Sequence, residues 1–198
     1  MAIKWTKDLL DIYYKVRPKI DNGDLLEFSS NSFLGNAIRF VTKKDVNHTA
    51  LVWCVEEFKK VKNRKFIMEA LSQGIELNLI SSRLKEYKGD VYWYHLKDEY
   101  NQFRDDVASI CLLAEGRTDE IRYDYASIIR NMFSKVSVDV RKNSFCSEFA
   151  QWVLQEAKIL KPQKKALRPG EFDNLGIYNP RIRIYSYGNE KKSCSCCK

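Results

Sequence analysis

Asn143-Ser144-Phe145-Cys146-Ser147-Glu148-Phe149-Ala150-Gln151-Trp152-Val153-Leu154 places a cysteine where a helix is expected to begin. Asn143 and Ser144 are residue types whose side-chain oxygens satisfy the unpaired amides of a first helical turn. Glu148 falls within that turn, and Phe149, Trp152 and Val153 recur at i, i+3 and i+4, so one helix face is apolar. Cys146 then sits in the first turn, where unpaired N–H groups and the positive end of the helix dipole favour a thiolate. A lone helical cysteine also serves as a small buried hydrophobe. Partners elsewhere in the chain decide between chemistry and packing.

The 198 residues are 44% hydrophobic and 13% aromatic, enough for one core and one domain, read as residues 1–190 followed by a basic, Cys-rich tail at 191–198. The longest apolar runs, such as 50–55, are too short to cross a bilayer, and the first residues lead into an amphipathic segment instead of a signal-peptide core. A reducing, cytosolic setting is expected. Six cysteines, with Cys54, Cys111 and Cys146 dispersed and Cys194, Cys196 and Cys197 crowded at the end, do not form a disulfide framework. The net charge of +8 is concentrated in 59–65, 158–168 and the tail, with mixed-charge sequence between. Solvated loops account for this as well as an anionic partner surface does, and no specific nucleic-acid partner is indicated.

Apolar spacing predicts a helix over 5–16, ended at Arg17-Pro18. A turn at Asn22-Gly23-Asp24 leads to a short strand at 25–28, and 29–44 reads as a loop with one helical turn near 34–40. Residues 48–55 are rich in strand formers, 59–65 reads as a basic turn, and 66–71, 75–80 and 90–96 read as further strands of an antiparallel meander. The period then changes. Helices are expected over 98–115, closed by Gly116, over 123–136, and from Cys146 to about Ile159, with an edge strand at 181–187. Strands in one half and helices in the other indicate an α+β fold.

A cysteine nucleophile needs a base, commonly a histidine oriented by a third polar group. The chain has two histidines. His48 opens a predicted strand just after a polar loop and is the candidate base, whereas His95, within Tyr92-Trp93-Tyr94-His95-Leu96, reads as structural. Glu69, flanked by Ile67-Met68 and Ala70-Leu71 in the next strand, is the candidate orienting carboxylate. In another register Glu56 or Glu57 takes that place.

Gly23-Asp24-Leu25-Leu26-Glu27-Phe28, Asn47-His48-Thr49-Ala50-Leu51-Val52, Phe66-Ile67-Met68-Glu69-Ala70, Tyr123-Asp124-Tyr125, Phe145-Cys146-Ser147-Glu148-Phe149 and Arg168-Pro169-Gly170-Glu171-Phe172 together resemble the ordered motifs of the permuted papain-like amidases, the YiiX-type circular permutants of the NlpC peptidase superfamily. The resemblance spans roughly residues 20 to 175. It implies a small, barrel-like antiparallel sheet packed against a helix that carries the nucleophile. It assigns Cys146 as nucleophile, His48 as base and later acid, and Glu69 as the orienting carboxylate, with no cofactor and no metal. Gly23-Asp24 is expected in a structural turn, and Asp124 as a helix cap. The 29–47 loop and the 86–122 insertion are longer than in compact relatives.

The function so implied is a cysteine hydrolase that cleaves a peptide or amide through a thioester. The alternative enzyme is a lipid acyltransferase or phospholipase acting on a lipid ester, because 23–27 also resembles the opening of the lecithin retinol acyltransferase-like group. Those relatives commonly use a histidine as third member, and here Glu69 occupies the comparable strand. The alternative of another class is a noncatalytic membrane-surface module. Lys191-Lys192-Ser193-Cys194-Ser195-Cys196-Cys197-Lys198 resembles a palmitoylation cluster beside basic residues, which would tether the protein to an anionic membrane. Its three cysteines lack the fourth ligand of a zinc site.

Overall fold

The computed structural model describes residues 10–30, 36, 39–40, 43–58, 61–71, 74–116, 145–163 and 165–187. Six strands form one sheet: β1 (Leu25–Ser30), β2 (His48–Phe58), β3 (Val61–Leu71), β4 (Gly74–Leu79), β5 (Gly89–Tyr94) and β6 (Ile182–Ser186). The order is β4-β3-β2-β1-β5-β6, and every neighbouring pair is antiparallel. Among the helices whose bounds lie within the described residues are α1 (Asp11–Val16), α2 (Ile80–Glu86), α3 (Arg104–Gly116) and α4 (Phe145–Glu156). The α+β class is therefore seen directly, but the sheet is not closed, and β4 and β6 are its edges. Closing a barrel requires tilted strands whose staggered register brings the two edge strands together. Here β2 and β3 have 11 residues each, whereas the edges have 6 and 5.

Helices instead cover both faces. On one side Leu25, Leu51 and Met68 join Phe149, Ala150, Val153 and Leu154 of α4 with Val107, Cys111 and Ala114 of α3. On the other, Leu26, Phe28, Ala50, Val52 and Ile67 join Tyr13 of α1 with Ile80 and Leu84 of α2. The alternation along β1 and β2 is the two-residue period of a strand buried on both faces.

Differences from the sequence-based expectation follow from tertiary pairing. The basic stretch near residue 60 is mostly strand, because Val55, Glu57 and Phe58 find partners in Arg64, Lys62 and Val61. Ile80 does not end a strand but begins α2, whose Ile80 and Leu84 are both buried. The strands are no simple meander, since β5 returns to the far side of β1. The segment at 98–103 is a 3-10 turn before α3. The α4 helix ends without glycine: Lys158 takes φ 61°, while the Ile159 N–H bonds Leu154 O at 2.9 Å and the Lys158 N–H bonds Gln155 O at 3.0 Å, a Schellman closure. Residues 123–136, the caps Asn143 and Ser144, and the tail lie outside the described residues.

The segment after α4 is fastened to the helix and the sheet by buried polar groups. Ser147 Oγ donates to Leu167 O at 2.6 Å, and Gln151 Oε1 accepts the Leu167 N–H at 2.7 Å. Gly170, with φ 81°, directs its N–H to Glu27 Oε1 at 2.7 Å. Glu27 is fully buried in β1 and also accepts from Tyr94 Oη at 2.7 Å and Thr49 Oγ1 at 3.4 Å. Burial pushes its carboxyl up to about 7, against the two stronger of these hydrogen bonds, with Asp173 raising and Arg181 lowering it more weakly. The folded protein thus holds this proton more tightly than the unfolded chain, whose glutamate titrates near 4.5. The resulting stability is complete below pH 4.5 and is lost as pH rises through about 7, a decline of about 3 kcal/mol. Glu27→Gln keeps an acceptor for Gly170 without an ionisable proton. Urea unfolding at pH 5 and pH 8 should show a smaller loss for Glu27→Gln than for wild type, and equal losses would refute the assignment.

Candidate functional site

Continuing the β2–β3 register past Leu51–Met68 sets Glu69 level with Ala50, two residues from His48 on the same sheet face. His48 Nε2 and Glu69 Oε2 are 2.8 Å apart. Glu69 is fully buried, whereas the His48 side chain is 18% exposed. A neutral imidazole that donates from Nε2 to this carboxylate keeps Nδ1 as its basic nitrogen. Cys146, in the first turn of α4, is a hydrogen-bonding and electrostatic partner of His48. The α4 helix packs on β2 and β3, so the helix and the hairpin together bring thiol, imidazole and carboxylate into one site.

Burial alone would lower the imidazole pKa, but the Cys146 charge and hydrogen bond, followed by those of Glu69, outweigh it and push His48 up to about 10. Burial likewise favours the protonated form of Glu69, yet His48 and Arg83 together bring its carboxyl below the usual value. Two further donors reach this carboxylate. Arg83 Nε lies 2.9 Å from Oε1 and 3.2 Å from Oε2, and Asn78 Nδ2 lies 3.3 Å from Oε1. The Phe28 ring flanks the group, 5.5 Å from the His48 ring and 5.0 Å from that of Tyr87.

Among the described residues no histidine is a main electrostatic or hydrogen-bonding influence on Cys54 or Cys111, whereas Cys146 partners His48. Burial pushes the thiols of Cys54 and Cys111 up to about 12, which makes them poor nucleophiles. None of Cys54, Cys111 and Cys146 is in a disulfide. Glu148, in the same turn as Cys146, is buried with Oε1 lacking a hydrogen-bond partner among the described residues, and burial raises its pKa.

His95 lies apart from this group and bonds Asp24, 3.0 Å from Nδ1 to Oδ2. Glu57 pairs with Lys62 near the closed end of the β2–β3 hairpin, nine residues along β2 from His48 by sequence number. The Arg83 contact depends on the helix at 80–86, which is too short to show a clear period in the sequence, and the Asn78 contact depends on the β3–β4 register. The only local signal was the i, i+4 pair Ile80 and Leu84. Among the described residues no three His, Cys, Asp or Glu side chains gather as a metal-ligand set, and no helix is long and apolar enough to cross a membrane. Asp124, Cys194, Cys196 and Cys197 lie outside the described residues.

No protein-family model matches this chain, and no curated protein matches it. Among solved structures it is similar to the crystal structure of metalloprotein YiiX from Escherichia coli O157:H7, with 21% sequence identity and a TM-score of 0.46 over 71% of this chain and 68% of that one. The chemistry of the site follows from this chain's own residues.

Proposed function

We propose that this protein is a thiol hydrolase of the permuted papain-like amidase type, acting on an amide or ester carbonyl through a thioester at Cys146. The observation that carries this reading is the His48 ring, bonded to buried Glu69 on one side and partnered by the first-turn cysteine on the other. The Cys146 thiolate attacks the carbonyl carbon, and the helix N-terminus supplies N–H donors for the developing oxyanion. His48, as imidazolium, gives its Nδ1 proton to the departing amine or alcohol, and the C–N or C–O bond breaks to leave the acyl group on sulfur. Neutral His48 then takes a proton from water as its oxygen attacks the thioester. The C–S bond breaks, the acid is released, and the thiolate–imidazolium pair is restored. Glu69 keeps the ring in the tautomer and orientation both steps require.

Brief treatment of the full chain with p-nitrophenyl acetate at neutral pH, followed by peptide mapping, tests the proposal. The expected result is a burst of nitrophenolate with one acetyl group on Cys146, absent in Cys146→Ala. Iodoacetamide should likewise label Cys146 well ahead of Cys54 and Cys111. Equal labelling of the three, or a burst that survives Cys146→Ala, would sink the reading.

A further inference from the structure

Resting on the thiol-hydrolase reading, we propose that Arg83 is a positioning residue of that site, locking Glu69 as an oriented carboxylate so that Glu69 can in turn hold His48. Arg83 belongs to α2, a seven-residue helix that follows β4 directly. Its Nε reaches both oxygens of Glu69, at 2.9 and 3.2 Å, and thereby fixes the plane of the carboxylate that meets His48 at 2.8 Å. The guanidinium is itself held. Its central carbon lies 5.5 Å from the centre of the Phe28 ring and 5.4 Å from that of Tyr87, close enough for cation–π attraction to both. With only 27% of the side chain exposed, this contact is little screened by solvent. Phe28 touches His48 as well, so one ring supports both ends of the His48–Glu69–Arg83 row.

The charge balance explains why Glu69 needs such a partner. Glu69 is fully buried, and its cross-strand partner on β4 is Glu76, a like charge. Asn78 on β4 contributes one uncharged donor at 3.3 Å. From β2 comes His48, whose charge changes during turnover and is shared with Cys146 of α4. Tyr87, just beyond α2, has its phenol pushed well up by burial and stays neutral. Arg83 is thus the permanent cation bonded to this carboxylate among the described residues. It keeps Glu69 ionised in the half of the cycle when His48 is neutral.

The test follows the pH dependence of Cys146 acetylation by p-nitrophenyl acetate from pH 4 to 8 in wild type, Arg83→Gln, Arg83→Lys, Glu69→Gln, Arg83→Gln/Glu69→Gln and Cys146→Ala. With Arg83→Gln the acid limb is expected to move up by about one pH unit, so that at any pH on that limb, below the wild-type plateau, the rate falls about tenfold. Arg83→Lys, which keeps the charge without the Nε–H shared between the two oxygens, should return the limb toward wild type while its plateau rate stays below the wild-type plateau. Adding Arg83→Gln to Glu69→Gln should cost nothing more, because the arginine acts through the carboxylate. A residue that only buttresses the fold would lower stability without moving the limb. The inference is overturned if the Arg83→Gln limb superimposes on wild type, or if Arg83→Gln costs as much in the Glu69→Gln background as alone. Should Arg83→Gln not fold, Arg83→Lys decides: a plateau rate below wild type is expected, and a plateau rate equal to wild type would refute the positioning role of the shared Nε–H. Acetylation that survives Cys146→Ala overturns the hydrolase reading itself, a result independent of the Arg83 variants.

Discussion

Asp24→Ala will destabilise the domain by about 3–5 kcal/mol, the range for removing one partner of a buried charged network. Gly23, with φ 83°, turns the chain so that the carboxylate, fully buried, enters the molecule between β1 and the segment after β5. Oδ2 accepts from the Trp93 indole at 2.8 Å and from the Asp21 N–H at 3.0 Å, and Oδ1 accepts from Arg104 Nη1 at 2.9 Å and from the Leu96 N–H at 3.1 Å. His95 Nδ1 completes the set at 3.0 Å from Oδ2. Alanine leaves a nearly buried guanidinium with only the looser Asp21 carboxylate, 3.9 Å from Nε, as counter-ion, and an indole and two amide N–H groups without their acceptor. In urea the midpoint should drop while the slope of free energy against denaturant stays unchanged, the sign of lost stability with an unaltered two-state transition. Asp24→Leu combined with Arg104→Met removes donor and acceptor together and should recover part of the loss. If Asp24→Ala unfolds within 1 kcal/mol of wild type, the network does not hold the fold as described.

That network shows where legibility in the sequence ends. Asp24 and Trp93 are separated by 69 residues, and Asp24 and Arg104 by 80, so no local pattern announces their meeting. A two-residue strand period and a short turn between apolar runs do announce that residues of β2 and β3 lie side by side, which is why His48 and Glu69 could be paired on paper. The edges of the sheet were not readable, because an antiparallel run closes or stays open according to strand length and the helices packed on its faces. Nor was α2, since seven residues with two buried positions make too short a period to separate from the strand before it. Arg83 stayed hidden with it. The buried role of Glu27 was equally unannounced, because its strongest backbone partner, Gly170, lies 143 residues away.

The second large effect concerns the rate at the thiol. His48→Ala should lower acetylation of Cys146 by p-nitrophenyl acetate at pH 7 by about 10²–10⁴-fold, the usual contribution of a positioned acid–base group. On the proposed mechanism the reactive species in wild type is a thiolate–imidazolium pair. Because the Cys146 and Glu69 interactions push His48 up to about 10 against burial, the imidazolium persists through neutrality and is lost only as pH climbs through that value. Wild-type reactivity should therefore hold as pH falls from 8 to 6. Without the imidazole the sulfur behaves as an ordinary thiol, and the rate rises steeply with pH toward about 8.5. Glu69→Gln should fall between the two, about tenfold below wild type, because an amide still accepts one hydrogen bond from Nε2 but no longer stabilises the cation. Iodoacetamide alkylation, which needs a thiolate but no proton donor, should lose less than acetylation in His48→Ala, and the excess measures the acid–base part of the role. Acetylation profiles of His48→Ala and wild type that superimpose from pH 6 to 9 would separate the imidazole from the chemistry of the sulfur, whatever the geometry places between them.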